Sequence, residues 1–248
     1  MSRNFDLMHD MERYHEIVPI QPVKPAIRTA KAGEVEYQQP VSVNEGSLRL
    51  VQQLLAPQSQ GAPRLVVFAG VEHGNGCTHT AVSVAQTLAA NGGRSICIVD
   101  ANFRSPAMAG KFRVNNDQGL SDALSREGLV RSFVKPVHND SLWLMSTGSL
   151  ADESPNLLSS ERLIARCIEL REEFDIVLVD APPLAHYADA IALGRLSDGV
   201  VLVIEAESTR RESALAAVEN LRSSDVRILG AVLNKRVYPI PQKVYSKL

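Results

Sequence analysis

From Arg64 onward, short runs of aliphatic and β-branched residues alternate with segments whose apolar residues recur every three to four positions. This alternation is typical of a parallel sheet covered by helices on both faces, so it predicts an α/β fold. We expect the polar strand ends to form the ligand-binding edge of the sheet. The six predicted strands are Leu65–Gly70, Ser95–Asp100, Leu142–Met145, Asp175–Asp180, Gly199–Glu205 and Val226–Asn234.

Amphipathic segments at 78–92, 160–173 and 208–224 are the predicted crossover helices. Residues 61–235 are therefore expected to form a single α/β domain. Residues 1–60 carry scattered prolines and few apolar runs, which predicts a flexible N-terminal arm with one short helix around Gly46–Ala56. Residues 236–248 are basic and contain two tyrosines, and we expect them to be an exposed tail.

The overall charge and composition change this picture little. A formal net charge of -2 with 22% charged residues describes an ordinary surface, so no nucleic-acid partner is expected. No stretch approaches the roughly 20 apolar residues of a membrane span, and the polar N-terminus has no signal-peptide core. These features predict a cytoplasmic protein. The three cysteines are widely spaced, which favours neither a disulfide framework nor a zinc site.

The segment after the first strand, GVEHGNGCTHT, carries the candidate chemistry. A glycine-rich turn that runs into a helix can hold the phosphates of ATP or ADP with its backbone N–H groups, and Thr78 is placed to bind Mg²⁺. The lysine that normally reaches the phosphates is replaced by Cys77. The predicted nucleotide-binding positions are Gly74, Asn75, Gly76, Cys77, Thr78 and His79. A bare strand-to-helix turn stays open as an alternative, as does a reactive thiolate, since a helix N-terminus lowers a thiol pKa.

The loop and three later segments, taken together, resemble the cytoplasmic domain of the bacterial tyrosine kinases of capsule and exopolysaccharide export. The segments are SICIVDANFRSPAMAGKFRVNNDQGLSDAL, FDIVLVDAPPLAHYADAIALGRLSDGVVLVIEAESTRRES and ILGAVLNK. The likeness spans Arg64 to Lys235, and the order of its motifs is more specific than any one of them. It is similar, more distantly, to the partitioning and division-site ATPases of the ParA and MinD type. The resemblance implies a P-loop NTPase-like domain with a parallel sheet over 61–235.

The resemblance also implies roles for individual residues. Asp100 and Asp180 match the family's catalytic carboxylates, which together with Thr78 bind Mg²⁺. A second family aspartate is replaced by Asn102, which carries no charge and accepts no proton. The remaining nucleotide-binding positions implied by the resemblance are Arg104, in the turn after the second strand, and Asn234, at the position of the adenine contact.

The two altered positions predict a degenerate member of this family with weak or absent ATP chemistry. It would act as a regulatory or scaffolding partner of an inner-membrane polysaccharide chain-length protein, or co-polymerase, and lie at the membrane through that partner. Homo-oligomer formation stays open, and the family's tyrosine cluster is reduced to Tyr238 and Tyr245. Two alternatives remain: an active tyrosine autokinase that takes its missing cation from Lys111, Arg104 or a partner, and a ParA/MinD-type positioning ATPase.

Overall fold

The computed structural model describes residues 17–19, 45–54, 61–91, 93–138, 141–149, 157–158 and 160–236 of the 248-residue chain. These residues form one eight-stranded sheet with the order β1-β8-β7-β2-β6-β3-β5-β4. The strands are β1 Ile17–Pro19, β2 Leu65–Gly70, β3 Ile96–Asp100, β4 Lys135–His138, β5 Leu142–Met145, β6 Ile176–Ala181, β7 Gly199–Glu205 and β8 Ile228–Asn234.

The strand pairing confirms the predicted α/β fold. All neighbouring strands run parallel except β4, which pairs antiparallel with β5 at one edge. All six predicted strands are present, with ends shifted by at most two residues. Two edge strands, β1 and β4, were not predicted. β1 has only three residues and β4 contains a proline, so neither has the long apolar run that marks a central strand.

Helices cover both faces of the sheet. They are α1 Glu45–Leu54, α2 Cys77–Ala90, α3 Met108–Phe112, α4 Leu120–Ser125, α5 Glu161–Glu173, α6 Asp189–Arg195 and α7 Arg211–Ser223, with a 3₁₀ turn at Val130–Phe133. Alternate strand residues point to opposite faces, so Phe68 packs against α1 and α2 while Val67 faces α5, α6 and α7. None of the helices that the structure describes is long and apolar enough to cross a membrane.

Two described segments fall inside the predicted N-terminal arm. β1 pairs in parallel with β8, and α1 buries Leu50, Val51 and Leu54 against α2. The rest of the arm, and the tail beyond Arg236 with Tyr238 and Tyr245, lie outside the described residues. The division at residues 60 and 235 therefore stays a prediction.

Candidate functional site

The glycine-rich loop joins β2 to α2 and contains two left-handed glycines. Gly74 has φ 82° and Gly76 has φ 83°, a backbone region that L side chains rarely adopt. A Cβ atom at Gly76 would also overlap the side-chain amide of Asn234. Glycine at this position is therefore required by both the backbone conformation and the close approach. The loop and the first residues of α2 line one cavity, and the N–H groups of a helix N-terminus that lack intrahelical partners can bind an anion.

Two asparagines hold this loop in shape. Asn75 is 3% exposed, and its Oδ1 accepts a hydrogen bond of 2.7 Å from the Glu72 N–H while its Nδ2 donates to Thr209 Oγ1 at 3.3 Å. The carbonyl oxygen of Asn75 accepts a hydrogen bond of 2.9 Å from Asn234 Nδ2. The amide predicted to contact adenine thus supports the loop in this structure.

A cavity of about 270 Å³ opens between this loop and the segment that follows β3. The predicted binding positions from Gly74 to His79 all line it. Asn102 and Lys111 line its opposite side, with Ser105 and Ala107. The six predicted positions thus share one cavity, and their binding of nucleotide stays a prediction.

Asp180 lies at the end of β6 beneath the loop and is 1% exposed. Its Oδ2 accepts a hydrogen bond of 2.5 Å from Thr78 Oγ1, while its buried Oδ1 has no hydrogen-bond partner among the described residues. Mg²⁺ takes oxygen ligands and is commonly held by one or two carboxylates together with substrate phosphates. A hydroxyl beside an unpartnered carboxylate oxygen fits that ion, so Thr78 and Asp180 are the residues that would hold it.

The pKa of Asp180 is raised to about 7, chiefly by burial and also by the neighbouring charge of Asp100. The Thr78 hydrogen bond is the largest opposing influence. This carboxyl group is therefore partly protonated near neutral pH in the absence of metal. Binding of Mg²⁺ to Asp180 must displace that proton, which makes the affinity for the ion depend on pH.

Asp100 lies beside Asp180 in the register of β3 and β6. Its Oδ2 accepts hydrogen bonds from the N–H groups of Ala107 at 3.1 Å and Met108 at 3.0 Å, and its Oδ1 accepts one of 3.3 Å from Asn102. Its pKa is raised by burial, against the effect of these bonds. Asp100 thus fixes the turn that precedes α3, and only Oδ1 keeps a free lone pair for another ligand.

Cys77 is the first residue of α2, where the loop lysine is expected. Desolvation by burial raises the pKa of its thiol well above the usual value, and the charge of Asp180 adds to this. The hypothesis of a reactive thiolate at the helix N-terminus requires a lowered thiol pKa. It is wrong on this point, because the pKa is raised. At physiological pH a neutral thiol occupies the place of a cation.

The two basic residues proposed as substitutes for that cation lie in different surroundings. Lys111 lines the cavity. Arg104 is not among the lining residues; its Nε lies 3.9 Å from Asp189 Oδ2, and its guanidinium carbon lies 4.8 Å from the centre of the Tyr187 ring. The structure thus brings Lys111 to the predicted site and leaves Arg104 beside it.

An aromatic cluster at the rim of the cavity was missed by the sequence analysis. The rings of His73 and His186 stack with their centres 5.1 Å apart, and Tyr187 meets both rings edge-on. His186 follows the two prolines after β6, and this turn returns to the glycine loop through a hydrogen bond from the Leu184 N–H to Gly70 O. Nothing in the local pattern around His186 signals a contact with a residue so distant in the chain.

We expect Asp180→Asn to stabilise the metal-free protein at high pH. The folded-state pKa of Asp180 is raised, so its contribution to stability is present below pH 4 and is lost as the pH rises through about 7. The amide removes that loss and should raise the free energy of unfolding by about 4 kcal/mol at pH 8.

Urea unfolding at pH 4 and pH 8 in EDTA measures this effect. The difference between the variant and the wild type should shrink toward pH 4. Asp225→Asn, at an exposed position, is the control and should show no such dependence on pH. An equal gain in the free energy of unfolding at both pH values would contradict the raised pKa of Asp180.

A parallel sheet, a glycine loop that opens into a helix and two buried carboxylates at adjacent strand ends define the class of protein. This is a domain with the P-loop NTPase fold. A scan against protein-family models finds no match. The chain is 31% identical over 161 residues to the tyrosine-protein kinase YwqD of Bacillus subtilis, covering 65% of this chain and 68% of that protein. The chain therefore belongs to the bacterial tyrosine kinase family of capsule and exopolysaccharide synthesis.

Solved structures share the fold. The kinase domain of the Escherichia coli tyrosine kinase ETK superposes with a TM-score of 0.78 at 17% identity, covering 95% of this chain and 96% of that one. An ATP complex of Cyanothece McdA gives a TM-score of 0.56 at 20% identity, covering 68% and 67% of the two chains. At these identities the likeness shows the fold alone.

Proposed function

We propose that this chain is a degenerate member of the bacterial tyrosine kinase family with weak or absent ATP chemistry. Its role would be to regulate or scaffold an inner-membrane polysaccharide co-polymerase, at the cytoplasmic face of the membrane. The observation that carries the proposal is the partly buried Cys77 thiol, which brings no positive charge to the position of the phosphate-binding lysine.

The physical argument concerns charge at the site of transfer. Phosphoryl transfer is accelerated mainly by positioning and by cations that stabilise charge on the transferring group. Here Cys77 supplies no charge, Asn102 supplies no second carboxylate, and three backbone N–H groups occupy Asp100. Each change weakens catalysis while leaving the fold intact. This combination favours a protein that has kept its partner-binding surfaces and has lost the catalytic turnover of ATP.

The residues that would bind nucleotide depart less from the family pattern than the catalytic groups do. The left-handed glycines, the Asn75 anchor and the unpartnered Asp180 oxygen all remain. We infer that the loop holds ADP or ATP, with Mg²⁺ bound by Thr78 and Asp180. When bound, the ion would neutralise phosphate charge. The nucleotide would then stabilise the chain in the manner of a structural ligand, because it binds the folded state alone.

Phosphate transfer by the purified full-length chain tests the catalytic part of the proposal. Incubation with Mg-ATP, followed by mass spectrometry of Tyr238 and Tyr245, should show little or no phosphotyrosine. YwqD, treated in the same way, is the comparison kinase. Robust incorporation into either tyrosine would contradict the proposal.

Binding to the co-polymerase tests the scaffolding part separately. Membranes that contain the co-polymerase should retain the chain, and membranes that lack it should not. Cys77→Lys is expected to be retained equally, because the proposal assigns this role to the surface of the domain. Equal retention on both membranes would remove the scaffolding role.

A second candidate is an active kinase whose missing cation comes from another residue or from the partner. The presence of Lys111 in the cavity favours this candidate. ATP turnover measured with and without the cytoplasmic segment of the co-polymerase separates the two. A partner-dependent rate in the range of about 1–100 s⁻¹ would favour the active kinase.

A further inference from the structure

The cavity beneath the glycine loop contains one basic side chain of the lysine or arginine type, as far as the described residues show. That side chain is Lys111. Glu72 contributes a carboxylate to the rim, and Cys77 contributes a thiol where a lysine would bring a positive charge. A nucleoside diphosphate carries several negative charges, so its binding depends on whatever positive charge the cavity retains.

The short helix α3 holds Lys111 in place. Asp100 accepts hydrogen bonds from the N–H groups of Ala107 and Met108 at the start of this helix. Met108 is fully buried, and Phe112, one turn later, packs against the same part of the core. These two contacts fix the face of α3 that meets the sheet. Lys111, next to Phe112, therefore projects from a positioned helix at the cavity wall.

Lys111 shares the lining of the cavity with the glycine loop and the first turn of α2. Other lysines of the described segments are committed to carboxylates: Lys135 contacts Asp117, and Lys235 lies 3.1 Å from Glu205. Lys111 forms no ion pair with a described residue. Its ammonium group is thus available to an anion.

We propose that the ammonium group of Lys111 binds the phosphates of a nucleoside di- or triphosphate in this cavity, in place of the missing loop lysine. The inference rests on the proposed nucleotide site and identifies the residue on which its affinity depends. A lysine is suited to this task because its four-carbon stem is flexible and its charge needs no fixed bidentate geometry. The cation is supplied from α3, across the cavity from the loop.

Titration of the full-length chain with MgADP measures the effect directly. Lys111→Met should weaken binding about tenfold or more, since a charge-assisted hydrogen bond to phosphate is lost. Lys111→Arg keeps the charge and should retain most of the affinity. Arg113→Met removes one positive charge two residues further along, from an exposed side chain outside the cavity, and should change the dissociation constant less than about twofold. The affinities of these variants for inorganic tripolyphosphate should follow the same order, because Lys111 would contact phosphate.

A double substitution shows whether Lys111 stands in for the loop lysine. In a Cys77→Lys background, Lys111→Met should reduce the affinity for MgADP clearly less than it does in the wild type, because both lysines would bind the same phosphates. An equal loss of MgADP affinity in both backgrounds would show that Lys111 binds independently of residue 77. That result would overturn the inference that Lys111 takes the place of the loop lysine.

Three results would overturn the inference outright. They are an unchanged dissociation constant in Lys111→Met, an equal loss in Arg113→Met, and a wild-type chain that binds no MgADP. A wild-type chain that binds no MgADP would also remove the proposed nucleotide site, whereas the other two results would leave that site standing. None of the three results bears on retention by co-polymerase membranes or on tyrosine phosphorylation, so failure of the inference is distinguishable from failure of the proposed scaffolding role.

Discussion

Replacing Cys77 by lysine is expected to tighten the binding of MgADP by about 10–100-fold, the range of one or two charge-assisted hydrogen bonds. The lysine would stand at the first residue of α2, within the cradle formed by the two left-handed glycines. It would also place a positive charge beside Asp180, whose pKa is raised to about 7 without it. A lower Asp180 pKa leaves less proton to displace when Mg²⁺ binds.

Calorimetric titration at pH 6.5 and pH 8 checks both effects. Cys77→Met is the matched control, since methionine is a long unbranched side chain without charge, and it should not tighten binding. The gain from lysine should be larger at the lower pH, where the wild-type carboxyl group holds more proton. Equal affinities for the lysine and methionine variants would show that the missing charge does not limit binding.

Arg166→Met is expected to destabilise the domain by about 3 kcal/mol, because it leaves the buried carbonyl group of Ala123 and two partly buried carbonyl groups without a donor. Arg166 is 4% exposed on α5. Its guanidinium donates to the carbonyl oxygens of Ala123 at 2.9 Å, Arg126 at 2.9 Å and Gly128 at 2.7 Å, and it pairs with Glu169. One side chain thus serves the carbonyl groups at the end of α4 and just beyond it, which have no partner within their own helix.

Chemical unfolding monitored by circular dichroism measures this loss. Arg162→Met, on the same helix but only partly buried, is the control and should stay within about 0.5 kcal/mol of the wild type. A small effect for Arg166→Met would mean that water replaces the guanidinium at these carbonyl groups. The Arg166 contacts lie apart from the glycine loop, so MgADP affinity of the folded variant should be unchanged.

The residue pattern alone predicts the strands of the central sheet and the loop that lies at their ends. Central parallel strands are buried on both faces, so each needs an unbroken apolar run, and such runs are visible without any knowledge of their neighbours. The glycines of the loop and the thiol at Cys77 are likewise local features. For this reason the P-loop class and the missing lysine could be predicted from the residues alone.

The contacts of those residues depend on how the chain folds. The hydrogen bond from Asn234 to the loop joins residues 159 positions apart, and the one from Thr78 to Asp180 joins residues 102 apart. Edge strands β1 and β4 depend on pairing with β8 and β5, because three or four residues carry too little pattern of their own. The raised pKa of Asp180 comes from burial, and the approach of Lys111 comes from the packing of α3. Burial and long-range proximity exist only once the sheet has formed, so no local pattern could encode them.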